Sequence, residues 1–236
     1  MANLATPSRL SIIVPTINEA DFLPLLLADL NLYTYEFELI IVDGGSTDLT
    51  KFIAKLGCAK IINLQERNRG KQLSNGAKIA TGEWLLFLHA DCRLKSNWGS
   101  KVNEIIQNPL QKQYAWFFNF NIKDQGFIWL ILQLAVLLRS NLLNRPYGDQ
   151  GLLISKDLYT KVGGYKEIAL MEDLDMVLRL SKRNSIKALG IGIETSTRKY
   201  KNKNVLSIAI KNAILRAKWK NGESTRSLAD KYYSRN

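Results

Sequence analysis

Between Ser11 and Leu88 four short apolar runs alternate with segments of helical character, and this alternation restricts the fold more than any other feature of the chain. Ser11–Pro15 (SIIVP) is β-branched and closed by a proline; Phe37–Val42 (FELIIV), Lys60–Leu64 and Trp84–Leu88 (WLLFL) follow it. Runs this short and nearly continuous in apolar character read as strands covered on both faces. Between them, Glu19–Leu32 carries Phe22, Leu25, Leu26 and Leu30 at helical spacing, with Asn18 as its N-cap. A second helix runs from a Ser46 cap to about Leu56 with Asp48 in its first turn, and a third from Lys71 to Ala80. The order predicts an α/β fold with a mostly parallel central sheet flanked by helices, whose ligands bind beyond the carboxyl ends of the strands.

The second half is less regular. Tyr114–Ile122 predicts a strand, Gly126–Leu143 a helix and Gly151–Ser155 a short strand, with further helices over Met171–Lys182 and Val205–Trp219. No repeat, low-complexity tract or linker separates the halves, so residues 1–236 read as one domain, long enough to bury a full core.

Lys and Arg number 33 against 21 Asp and Glu, a formal charge of +12, which favours phosphate-bearing ligands or an acidic membrane surface. Many of the basic residues fall after Ser181, among them Arg198, Lys199, Lys201, Lys203, Lys211, Arg216, Lys218 and Lys220; a solvated basic face explains them equally well. No nucleic-acid recognition motif accompanies them, so no nucleic-acid partner is expected. Cys58 and Cys92 form no CxxC pair, and the N-terminal residues show no secretion signal, so the expected location is cytoplasmic. His89 is the single histidine, which excludes a multi-histidine metal cage. Phe127–Leu138 is the one strongly apolar stretch; its 12 residues fall short of the roughly 20 a spanning helix needs, leaving a core helix or a peripheral one at the inner membrane face.

The polar residues after the strands are the candidate site. They read Pro15-Thr16-Ile17-Asn18-Glu19, Asp43-Gly44-Gly45-Ser46-Thr47-Asp48 and His89-Ala90-Asp91, with Arg67, Arg69, Gly70 and Lys71 opening a helix between. Each alone could be a turn or a cap. Together they gather carboxylates, a glycine turn and cations at one sheet edge, where a purely structural account would bury charge repeatedly.

With these residues, the chain resembles the family 2 glycosyltransferases of GT-A-type fold along nearly its whole length. The segments that carry the resemblance are VPTINE, IIVDGGSTD, RGKQLSNGA, GEWLLFLHAD, GDQGLLISK, and GGYKE followed by MEDLDMVLRL. HAD and the later STRKY segment look most like a bacterial subgroup associated with radical-SAM or selenoprotein genes. The resemblance implies inverting transfer of a sugar from a nucleotide-diphospho-sugar donor to an acceptor hydroxyl, by a hexosyltransferase-like enzyme. Residues 1–95 would be the nucleotide-binding half, and 96–236 the acceptor-side half with a basic C-terminal helical segment.

By the same resemblance, Pro15, Thr16, Asn18, Glu19, Gly44, Ser46 and Asp48 border the nucleoside, and Asp43 accepts hydrogen bonds from base or ribose. Arg69 and Lys71 meet the diphosphate, beside His89 and Ala90. Asp91 matches the last carboxylate of the family's DxD motif and would hold Mg²⁺ or Mn²⁺. The first position of that motif is His89, a departure that weakens the implied metal site. Glu172 and Asp173 match the acidic pair, with Asp173 as base; as first-turn helix carboxylates they also have a purely structural reading. Gly148, Asp149 and Gln150 would line the donor-sugar or acceptor pocket, and Arg198-Lys199-Tyr200 would lie near the diphosphate. The acceptor is an unidentified hydroxyl, with a lipid-linked one admitted by the apolar stretch. A nucleotidylyltransferase is disfavoured because Thr16-Ile17-Asn18-Glu19 stands where a glycine-rich phosphate loop belongs; a dinucleotide oxidoreductase lacks its GxGxxG. A degenerate nucleotide-binding protein of the same fold remains the alternative, supported by the lost carboxylate at His89.

Overall fold

A computed structural model describes residues 9–122, 126–142, 145–196, 198 and 205–233. Its strands and helices follow in the order β1 (Leu10–Thr16), α1 (Leu23–Leu30), β2 (Phe37–Asp43), α2 (Thr50–Leu56), β3 (Lys60–Asn63), α3 (Arg69–Ile79), β4 (Trp84–Phe87) and β5 (Cys92–Leu94). The second half adds α4 (Trp98–Gln107), β6 (Ala115–Asn121), α5 (Phe127–Leu142), β7 (Leu152–Ser155), α6 (Lys156–Lys161), α7 (Glu172–Ser181), β8 (Ile186–Thr195), α8 (Val205–Lys220) and α9 (Thr225–Tyr233).

One eight-stranded sheet takes strands from both halves, in the order β3-β2-β1-β4-β7-β6-β8-β5. β1 pairs in parallel with β2 and β4, β2 with β3, and β6 with β8. The pairings β4–β7, β6–β7 and β5–β8 are antiparallel, so the mostly parallel α/β sheet expected from the alternation is present with an antiparallel seam. Period-two side-chain alternation fills both faces. Ile12, Val14, Leu39, Ile41 and Leu86 pack on α1 and α4 through Leu23, Leu26, Trp98 and Val102. Ile13, Ile40, Val42, Leu85 and Phe87 face α3, α6 and α7 through Leu73, Ala77, Leu158, Met176 and Leu180.

Three differences from the expected elements have local causes. α1 begins at Leu23, with Pro24 in its first turn, because Asn18 takes φ +53° and spends its side-chain oxygen on the Thr47 N–H (2.9 Å) instead of capping a helix. α2 begins at Thr50, because the Ser46 hydroxyl turns back to Asp43 and Asp48 receives the Thr50 N–H (3.0 Å). β8 escapes the sequence pattern because Gly190 and Gly192 interrupt it. Phe117 pairs with Ala188 and Asn119 with Gly192, so two extra residues bulge out of β8 around Gly190 at φ +76°.

α5 keeps Phe127, Ile131, Leu134 and Leu138 on one exposed face. No helix among the described residues is long and apolar enough to cross a membrane.

Candidate active site

The loops after β1 and β2 are locked together by side chains. The carboxylate of Asp43, at the end of β2, is almost wholly buried. Its Oδ1 accepts the hydroxyls of Thr16 (3.1 Å) and Ser46, and its Oδ2 the N–H groups of Gly45 (3.0 Å) and Ser46 (2.8 Å). Four donors saturate a carboxylate. Asp43 therefore shapes the turn rather than offering free lone pairs to a base, which corrects the role expected for it. The Asn18 N–H donates to Ser46 Oγ (2.8 Å), and the Ala20 N–H to Asp48 Oδ2 (3.1 Å). Gln72 Nε2 donates to the carbonyls of Thr16 (2.8 Å) and Val42 (2.7 Å) and backs Gly44 closely, while Pro15 lies half-buried in register with Val42.

After β4 the chain places His89 and Asp91 toward the same sheet edge, whereas Ala90 turns inward into the core and presents no side chain to a ligand. Arg198 reaches this edge after β8. Its Nη2 donates to Glu19 Oε1 (2.5 Å), its Nε lies 3.1 Å from Asp91 Oδ2, and its guanidinium lies over the Phe22 ring at 4.6 Å. Burial pushes the Glu19 carboxyl above its ordinary value, against the opposing pull of Arg198.

A second arginine organises the other wall. Arg69 opens α3 behind an Asn68 cap, where the helix dipole is positive. Its Nη1 donates to Glu172 Oε1 (2.8 Å) and its Nη2 meets His89 Nε2. Gly148 lies close beside it: a Cβ there would displace the Arg69 guanidinium, and the Gly148 N–H donates to Asp173 Oδ2 (3.0 Å). Asp173 Oδ1 accepts the Leu174 N–H (2.7 Å). Met171, just before α7, adopts a left-handed φ of +69°, a costly conformation for a residue with a side chain, at the point where the acidic pair enters the site. Burial pushes Glu172 up to about 7; Arg69 opposes this and the neighbouring Asp173 charge adds to it.

Arg69, His89, Asp91, Glu172, Asp173 and Arg198 line one cavity of about 430 Å³, together with Arg67, Tyr147, Asp149 and, from α8 and α9, Arg216, Tyr232 and Tyr233. Arg67 stood in the candidate-site run of the sequence, whereas Arg216 and the three tyrosines were not singled out as site residues. Arg67 lies over the Tyr233 ring at 4.2 Å, and Arg216 is 5.5 Å from that of Tyr147. The expected residues after β1 and β2 (Pro15, Thr16, Asn18, Glu19, Asp43, Gly44, Ser46 and Asp48), with Ala90 and Gly148, are outside this lining, and two more lie elsewhere. Lys71 is absent from the lining and pairs with Glu66 (2.7 Å), because two positions along a helix turn the side chain to the far side. Gln150 is buried and bonded to Ser140 Oγ (2.8 Å) and the Phe118 carbonyl (3.1 Å), which leaves it a structural tie. Lys199 and Tyr200 lie outside the described residues.

The residues present do not fit the divalent cation the motif implies. Asp91 is engaged by Arg198, and His89, at the first position of the motif, faces Arg69.

Residues 11–155 match the family described as Glycosyl transferase family 2. The chain belongs to this family. It is similar to an uncharacterized glycosyltransferase of Haemophilus influenzae, 30% identical over 185 residues, 75% of this chain and 63% of that one. The first mycobacterial relatives it matches, glycosyltransferases of PGL/p-HBAD biosynthesis, are covered over only 34% of their length. Among solved structures, S. aureus TarS 1-349 in complex with UDP-GlcNAc superimposes with a TM-score of 0.66 at 19% identity, over 80% of this chain and 59% of that one. The Pyrobaculum calidifontis mannosyltransferase PcManGT in complex with GDP-Man and Mn²⁺ gives 0.63 at 15% identity, over 96% and 70%. Both are likenesses of fold, and they place this family 2 chain among the GT-A-like folds.

Proposed function

We propose that the chain is an inverting glycosyltransferase that moves a sugar from a nucleotide-diphospho-sugar to an acceptor hydroxyl. The observation that carries this reading is Asp173: its carboxylate is oriented by the Gly148 and Leu174 N–H groups on the wall of the cavity that also holds His89, Asp91 and the arginines. Asp173 takes the acceptor proton as that oxygen attacks the anomeric carbon; the bond to the diphosphate breaks on the opposite face, and the electron pair leaves with the phosphate oxygen. Guanidinium groups on the cavity wall stabilise the charge that builds there. Glu172 holds Arg69 in place.

The nucleoside is assigned to the edge formed by Pro15, Thr16, Asn18, Glu19, Gly44, Ser46 and Asp48, within residues 1–95, and the acceptor to the 96–236 half through Gly148 and Asp149. Mg²⁺ or Mn²⁺ enters no step, since the donor set around Asp91 does not fit one. The closer likeness to the radical-SAM/selenoprotein-associated subgroup rests on the HAD and STRKY segments and belongs to the same proposal.

Titration of UDP, GDP, UDP-GlcNAc and GDP-Man into the protein tests the reading. Saturable binding of one base series, followed by donor turnover, is expected; no binding by any of them removes it. For the acceptor, the exposed apolar face of α5 favours a lipid-linked hydroxyl at an anionic membrane surface. Co-sedimentation with phosphatidylglycerol vesicles but not phosphatidylcholine vesicles is expected, and equal recovery in both supernatants would refute it.

A further inference from the structure

We infer that Arg198 occupies the position of the divalent cation, so that the donor's diphosphate is held by guanidinium groups without metal. The inference rests on the nucleotide-sugar reading above and deepens it.

Asp91 is the one carboxylate of the implied metal motif that this chain retains. Its Oδ2 faces Arg198 Nε at 3.1 Å, while Arg198 Nη2 binds Glu19 Oε1 at 2.5 Å. The Phe22 ring covers the guanidinium at 4.6 Å. Two carboxylates and an aromatic face thus hold the group, and its charge cannot be removed by deprotonation at any physiological pH. A divalent ion on Asp91 would stand beside this fixed positive charge, and their repulsion would be strong in so sheltered a place.

The remaining partner is also committed. Arginine only donates, so His89 Nε2 accepts from Arg69, the proton of the ring stays on Nδ1, and that nitrogen faces Asp91 Oδ1 at 3.8 Å. No free imidazole lone pair is then aimed at the Asp91 position.

What a metal would supply is already present in another form. With Nε turned to Asp91 and one Nη to Glu19, Arg198 keeps further N–H donors and lies on the cavity wall. Planar guanidinium groups match phosphate oxygens in pairs. Arg67 and Arg216 line the same cavity beside the rings of Tyr233 and Tyr147, with no carboxylate partner among the described residues. They are the cations left over to meet the diphosphate.

The test is calorimetric titration of UDP and GDP into the full chain, in EDTA and again in MnCl₂, with free Mn²⁺ followed by electron paramagnetic resonance. We expect one nucleotide to bind with the same Kd, within about twofold, in both conditions. Arg198→Gln should weaken it at least tenfold in EDTA at unchanged thermal midpoint. Asp91→Asn, which removes a negative charge beside the diphosphate, should bind at least as tightly as the parent. A Kd tenfold tighter in Mn²⁺, or Mn²⁺-dependent binding that Asp91→Asn abolishes, overturns the inference and leaves the nucleotide-sugar reading standing. Binding of neither nucleotide under either condition would remove that reading and this inference together.

Discussion

The two ends of the sheet carry similar charged residues and use them in opposite ways. At the end where β1 and β2 begin, Glu38 accepts from Lys60, from the Ser11 hydroxyl and from the Thr81 N–H (2.8 Å), and Ser11 Oγ in turn accepts the Gly82 N–H (2.9 Å). Both carboxylate oxygens are matched to donors, and the cluster closes on itself. At the end where β1 and β2 finish, Glu19 Oε2 and Arg69 Nε are buried with no hydrogen-bond partner among the described residues. Neutral atoms such as Trp84 Nε1 and Gln111 Oε1 are left unpaired elsewhere, but buried charged groups are nearly always paired in finished structure, so Glu19 and Arg69 mark where a ligand completes the network. A polar cluster is a staple when saturated and a site when it is not.

The largest expected effect breaks the open end. Asp173→Asn keeps the shape of the side chain and removes its capacity to take a proton. Turnover should fall by about 10³-fold, within the usual range for a general base, while nucleotide Kd stays within about twofold. Steady-state rates paired with calorimetry measure both; a variant with full turnover refutes the assignment.

Next comes the acidity of Glu172, raised by burial from 4.5 to about 7 in the folded chain. A carboxyl that holds its proton more tightly when folded contributes fully below the unfolded value and loses that contribution as pH rises through the folded one. Wild-type stability should therefore decline between about pH 4.5 and pH 7, by on the order of 1–3 kcal/mol. Glu172→Gln should flatten that window in urea titrations. An unchanged slope would show that Arg69 keeps Glu172 ionised throughout.

Legibility from sequence divides along the same line. β1, β2 and β4 announce themselves because strands buried on both faces are mostly apolar, while the edge strand β3 shows only Ile61 and Ile62, and Asp91, Glu172 and Asp173 could be found because short motifs carry them. β8 could not, since Gly190 and the two-residue bulge destroy its periodicity. Arg216, Tyr232 and Tyr233 were equally hidden: they enter the cavity because α8 and α9 fold across it, and nothing local in those segments differs from a basic surface helix. Lys71 was misplaced by reading a helix as a line. Arg69 and Lys71 are two positions apart in the motif, and one faces Glu172 while the other faces Glu66.

The smallest effect tests the closed end. Burial alone would raise Glu38, but Lys60, Ser11 and the Thr81 N–H outweigh it and bring the carboxyl from 4.5 down to about 2. The sign is therefore opposite to that of Glu172: the contribution is present above about pH 4.5 and is lost as pH falls toward 2. Lys60 is 58% exposed, so solvent screens the pair and reduces its worth to about 1 kcal/mol. Glu38→Gln should lower stability by that amount at pH 7 and flatten the acid limb, leaving the pH 4.5 to 7 slope and nucleotide affinity as in the parent. Urea titrations from pH 2 to 8 on both glutamine variants separate the two ends. If Glu38→Gln shifted nucleotide Kd as well, the two ends would be coupled through β1 and β2, and the division between staple and site would not hold.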